Sequence, residues 1–175
     1  AVLGTLTKRA TTDPMLSGSV RELEQVTEKF LDGFGEVRAI QATIAKTYEE
    51  QVLTPAREMA GLYAIIDSAT GRRDTLMAPS LGKSREAFTA MLVAANAYYL
   101  SLATESAEEA KRSTDTIEKT IPVMLDLAEN DLQRQALQRL GQRATSLREG
   151  LSELSEHFAT RTHLLRTEID ANQAA

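Results

Sequence analysis

Arg57, Arg85, Arg139 and Arg143 carry the chemistry most open to this chain of 175 residues. Guanidinium groups drawn from different segments and aimed at one point bind a carboxylate through forked, charge-assisted hydrogen bonds. Tyr48 and Asn96 add a phenol and an amide able to orient such a ligand, and Asn96 interrupts the apolar run Met91–Ala95. The plainer alternatives are that each arginine faces solvent, that Tyr48 fills a core position, and that Asn96 bonds a neighbour at the edge of an apolar stripe.

Other chemistries fail on spacing. Gly33-Phe34-Gly35 supplies two thirds of a dinucleotide-binding loop, but Arg38 holds the third glycine position and no strand precedes it. Glu153 and His157 lie one helical turn apart, as a metal site can require. Neither His157 nor His163, however, has the Glu three residues earlier that di-iron bundles use. No Gly-x-Ser-x-Gly elbow, Walker loop or EF-hand loop is present. The sequence therefore predicts no catalytic residue, no metal site and no cofactor.

The elements that must position the arginines are helices. Ala, Leu, Glu, Gln and Arg dominate, aromatics are 5% and Trp is absent, a composition of helix formers rather than strand formers. Apolar residues recur every three or four positions from Leu16 through Val20, Leu23, Val26, Phe30, Phe34, Val37, Ile40, Ile44, Tyr48 and Val52 to Met59, Leu62 and Ile66. One helix is expected from Pro14 to Ile66, capped by Asp13 and kinked near Pro55. Asp67 to Asp74 reads as a loop. A second helix follows over about Thr75 to Ala103. A third covers about Ala107 to Ala128, with Ser106 and Glu109 at capping-box spacing. A fourth, capped by Asn130, runs from about Asp131 to Asn172. Gly33, Gly35, Gly61, Gly141 and Gly150 fall inside these helices, so some of them should mark close helix approach.

Short connections make neighbouring helices antiparallel. The expected fold is all-α: an elongated up-down-up-down four-helix bundle with two long helices, forming a single domain. Residues 44–155 should make a four-helix section, and 14–43 with 156–173 a helix pair near the termini. Counting residues along antiparallel helices puts Arg57, Arg85, and Arg139 or Arg143 at nearly one height, near Pro55. Tyr48, Asn96, Tyr98 and Tyr99 form a second level. The helix pair carries an apolar stripe that two helices cannot hide, so a second copy or further helices are expected to cover it.

Composition narrows the partners. A net charge of −5 and a pI near 5.2 argue against nucleic acid. The absence of Cys excludes disulfides and thiol chemistry. No stretch reaches the ~20 apolar residues of a membrane span, and the first residues lack the charged flank of a signal peptide. An excised piece of a larger protein is expected.

Three stretches, EKFLDGFGEVRAIQATIAKTYEEQVLTPAREMAGLY (Glu28 to Tyr63), SREAFTAMLVAANAYYLSLATESAEEAKRS (Ser84 to Ser113) and LQRQALQRLGQRATSLREGLSEL (Leu132 to Leu154), resemble periplasmic sensor bundles. These are the helical-bundle sensor domains of bacterial chemoreceptors and sensor kinases, of the helical bimodular or four-helix-bundle type. The resemblance implies a homodimer held by flanking transmembrane helices, in the periplasm, with a small organic acid or other small anion between helices. It further implies that the ligand displaces a helix to signal across the membrane. From a different class, the alternative is a helical scaffold or adaptor that binds protein partners along the exposed apolar stripe.

Overall fold

The structure, a computed structural model, describes residues 14–69 and 76–173, and every regular element among them is helical. Helix α1 spans Pro14–Thr47, a π-helical segment covers Tyr48–Leu53, and α2 occupies Thr54–Ala69. Then come α3 (Ala78–Ser101), α4 (Thr104–Asp126) and α5 (Asp131–Gln173). The chain divides into two compact units. Among the described residues, one comprises 14–42 and 159–173, and the other comprises 43–158. Asp13, the expected cap of α1, and most of the expected loop at 67–74 lie outside the described residues, whereas 67–69 belong to α2.

The unit of residues 43–158 holds most of the core. Ile44, Val52, Met59, Ile66, Met77, Met91, Ile117, Met124, Leu137, Leu140, Leu147 and Leu154 are wholly buried. Every helix of this unit contributes: Ile44, Val52, Met59 and Ile66 continue the expected stripe, while Leu132 faces solvent and its neighbour Gln133 is buried. The Asn130 side-chain carbonyl accepts the Gln133 backbone N–H at 2.9 Å, the N-cap that the sequence assigned.

The expected cap at Ser106 is corrected by the chain reversal before it. Leu102 takes a left-handed conformation (φ 59°) and donates its N–H to the Tyr98 carbonyl, closing α3. Ala103 is extended, and α4 begins at once with Thr104. Ser106 is therefore already helical, its N–H bonding the Ala103 carbonyl at 3.0 Å. Two residues suffice for the turn, so the helix starts three positions earlier than side-chain capping suggested.

Helical structure is continuous from Pro14 to Ala69, through the position where the sequence places a kink. Pro55 has no N–H to give the carbonyl four residues back, that of Gln51. Just before it, hydrogen bonding widens to the π pattern: the Thr54 N–H reaches the Glu49 carbonyl, and the Thr54 hydroxyl donates to the same oxygen at 2.9 Å. The Gln51 backbone is then met by α5 at Gly150, which is buried.

Tyr63 ties α2 to α3. Its hydroxyl lies 2.7 Å from the Ser84 hydroxyl and 3.2 Å from the Ser84 carbonyl, and its ring packs against Phe88 at 5.3 Å. Burial pushes the phenol pKa up to about 12, against partial opposition from the Ser84 hydrogen bond and the Arg85 charge. An unfolded tyrosine loses its proton near pH 10, while the folded one keeps it to about 12. Unfolding between these values therefore releases a proton, and stability falls as pH rises. Urea titrations at pH 9 and pH 11.5 should show a steeper alkaline loss for the native chain than for Tyr63→Phe; parallel losses would reject the assignment.

The other unit is a pairing of α1 and α5 segments. Arg161 donates to the Gln41 side-chain carbonyl at 2.7 Å, and Val20 and Gly33 are buried. Much of the expected stripe stays open: Leu23 is 48%, Phe30 54% and Phe34 55% exposed, and the two Phe rings stack with centroids 6.5 Å apart.

Candidate functional site

Each of the four arginines projects from a helix in the unit of residues 43–158, and three of them are already engaged by acids. Arg57 pairs with Glu49 at 2.7 Å on an exposed surface. Arg85 pairs with Asp67, contacts the Tyr63 carbonyl at 3.4 Å, and sets its guanidinium over the Tyr63 ring. Arg143 pairs with Glu58. Arg139 makes no ion pair among the described residues. Exposed pairs such as Arg57–Glu49 are worth about 0–1 kcal/mol. They matter here because they decide which charge a ligand would find available.

Arg139 and Arg143 do share a site. Together with Gln142 they line one wall of a groove of about 450 Å³, and Glu58, Gly61, Leu62 and Ile65 line the other. Each set recurs at three- and four-residue spacing, so each lies on a single helix face, α5 on one side and α2 on the other. Gly61 deepens the α2 wall: a Cβ placed there would meet nothing within 4 Å. Leu62 is buried and Ile65 is 39% exposed, giving the groove an apolar side. The chemistry on offer is an unopposed guanidinium fork, a neighbouring amide, a second guanidinium held by a carboxylate, and a short hydrocarbon surface. A carboxylate is the group this set fits.

Arg85 lines a different and larger groove, of about 900 Å³, between α3 and α4. Its floor is formed by Ala90, Val93, Ala94 and Ala97. Both arginines at its margin are neutralised, Arg85 by Asp67 and Arg112 by Glu109 at 2.8 Å. Arg57 lines neither groove.

Tyr48 and Asn96 meet each other. The Tyr48 hydroxyl donates to the Asn96 side-chain carbonyl at 3.4 Å, and the Tyr48 ring lies flat on Tyr99, with centroids 4.0 Å apart and planes 9° from parallel. Phe158 packs edge-on against Tyr98 at 5.2 Å. Burial raises the Tyr48 pKa, and Tyr99 and Glu49 raise it further, so this phenol stays neutral at ordinary pH. The second level expected from residue counting thus forms an aromatic packing cluster, with the Tyr48 hydroxyl on the Asn96 side-chain carbonyl and Asn96 itself exposed.

Sequence reasoning missed Glu58, Gly61, Ile65 and Gln142. The available signal was their spacing: Gln142 lies one turn from Arg139, and Glu58, Gly61 and Ile65 repeat along one face of α2. No group of three metal-ligating side chains occurs among the described residues. Glu153 and His157 bond each other at 3.3 Å. A comparison of the chain with protein-family models, curated proteins and solved structures returned no match.

Proposed function

We propose that this chain is the extracytoplasmic ligand-sensing domain of a transmembrane chemoreceptor or sensor histidine kinase, binding a small organic acid between helices. The observation that carries this is Arg139, a guanidinium with no counter-ion among the described residues, which lines the groove beside Gln142 and Arg143 and opposite the open space at Gly61. An antiparallel up-down-up-down bundle is the arrangement that best accounts for the pairings. Gln51, Glu58 and Ala69 ascend while their neighbours Gly150, Arg143 and Gln133 descend. Likewise Tyr48 meets Tyr99 while Tyr63 meets Ser84. Signalling requires that ligand favour one of two packings, since equal affinity for both shifts nothing. The π segment before Pro55, a geometry often found at functional sites, is the natural pivot for a bend and a helix displacement. No described helix is long and apolar enough to cross a membrane. The sensor proposal assigns the anchors and the signalling module to flanking sequence and this domain to the periplasm.

The scaffold alternative draws on a specific observation of its own, the open apolar face at Leu23, Phe30 and Phe34. In a sensor, a second copy covers that face. The test is a thermal-melt panel of small carboxylic acids, amino acids and inorganic anions, read beside sedimentation equilibrium. Ligand at 100 times its dissociation constant adds about 2.7 kcal/mol, a shift of about 5–10 °C for a chain of this size. The expected result is a shift for acids in a dimeric protein, lost in Arg139→Ala and kept in Arg57→Ala. A flat panel from a strict monomer would remove the sensor proposal and leave the scaffold.

A further inference from the structure

Resting on the carboxylate-sensing proposal, we infer that the α2–α5 groove selects monocarboxylates bearing a hydrocarbon chain over dicarboxylates and amino acids. The charge balance within the groove points this way. Arg139 and Arg143 contribute two positive charges and Glu58 one negative, so the ligand meets a net single positive charge. Among the described residues Arg139 makes no ion pair, whereas the Arg143 guanidinium is held by Glu58. A first carboxylate satisfies Arg139. A second, placed further along the groove, would face the Glu58 carboxylate and would have to displace it from Arg143. Like charges set against each other in this way discriminate by repulsion as well as by attraction.

The remaining wall is suited to carbon. Gly61, Leu62 and Ile65 run beside Glu58, with no side chain at Gly61 and an exposed flank on Ile65. A chain lying there covers apolar surface at about 0.8 kcal/mol per buried CH₂, close to a fourfold gain in affinity for each. An α-ammonium gains little: Glu58 is already engaged, and Arg139 repels a positive group next to the carboxylate it binds. Glu58 thus sets the number of charges accepted, and Gly61 sets the room for the chain.

Hexanoate, adipate, propanoate and norleucine separate these features, because hexanoate, adipate and norleucine share a six-carbon chain. Calorimetric titration of the native chain should give hexanoate an affinity at least tenfold above adipate, norleucine and propanoate. Glu58→Gln raises the groove's charge to plus two and should bring adipate to parity with hexanoate or past it. Gly61→Leu should reduce the advantage of hexanoate over propanoate to about onefold. The space around Gly61 lets that variant fold, which its melting curve verifies. Adipate or norleucine binding as tightly as hexanoate, in an Arg139-dependent way, would overturn the selectivity and leave the carboxylate site standing. Binding of none of these acids, or binding untouched by Arg139→Ala, would overturn both.

Discussion

Gly150→Ala is expected to destabilise the protein by about 3 kcal/mol or more, and so to lower its melting temperature by about 6–12 °C. Helix propensity alone predicts the opposite sign, since Ala is favoured over Gly in a helix interior by about 1 kcal/mol. The environment reverses it. A Cβ on Gly150 would lie 2.5 Å from the Gln51 carbonyl oxygen, 2.7 Å from the Gln51 Cβ and 2.9 Å from the Gln51 carbonyl carbon. Backbone atoms cannot rotate aside, so α5 would have to withdraw from the π segment and open the core beside it. Gly61→Ala is the matched control: it also lies inside a helix, its added Cβ meets nothing, and it should stabilise by up to about 1 kcal/mol. Paired thermal and urea melts decide the matter. Two changes of the same sign would mean that Gly150 does not hold the close approach described.

Gln133→Leu should cost about 2–4 kcal/mol despite keeping a side chain of similar size. Gln133 is wholly buried and bridges the end of α2 to the segment that leads into α5. Its amide nitrogen donates to the Ala69 carbonyl at 3.1 Å, and its carbonyl accepts the Glu129 N–H at 2.8 Å. Ala69 ends α2 and Glu129 stands just before α5. One side chain therefore satisfies a carbonyl that α2 cannot use and an N–H in the approach to the next helix. Leucine leaves the Glu129 N–H unpaired and the Ala69 carbonyl with only the long 3.5 Å contact from the Asn130 amide. Gln133→Glu separates the two bonds: it keeps the acceptor for Glu129 but turns a carboxylate oxygen toward the Ala69 carbonyl. That variant should gain stability on acidification, because protonation restores a donor there. Urea midpoints for Gln133→Leu within error of the native chain would show that solvent takes over both bonds.

The all-helical character was legible because helix periodicity is a property of long runs, and a few misplaced residues do not erase it. The stripes Ala110–Met124 and Leu140–Leu154 are buried as their spacing required. What escaped was local. The π segment was signalled by apolar steps of four in succession, Ile40, Ile44, Tyr48 and Val52, which in an α-helix would walk off the core by about 40° each time. The wider turn of a π-helix absorbs that drift. At Ser106 a side-chain pattern competed with backbone geometry, and the left-handed Leu102 won, since a two-residue reversal leaves no room for a capped start. For the arginines, residue counting fixed height along a helix but not azimuth. It brought Arg139 and Arg143 to one groove and could not show that Arg57 and Arg85 turn to acids elsewhere. Glu49 and Asp67, the acids that hold them, lie on the same helical run as Arg57 and were never weighed as partners.

The tyrosines also give the molecule an optical label of its own. It has no tryptophan, and its four tyrosines, Tyr48, Tyr63, Tyr98 and Tyr99, all belong to the unit of residues 43–158. Near-ultraviolet dichroism and intrinsic fluorescence therefore report on that unit almost alone, with Phe30 and Phe34 nearly dark beside it. The face-to-face pair Tyr48 and Tyr99 joins the π segment to α3 at a spacing where neighbouring transition dipoles couple. A sliding of one helix past the other would change that coupling, so any movement of the π segment against α3 can be followed in the unlabelled protein.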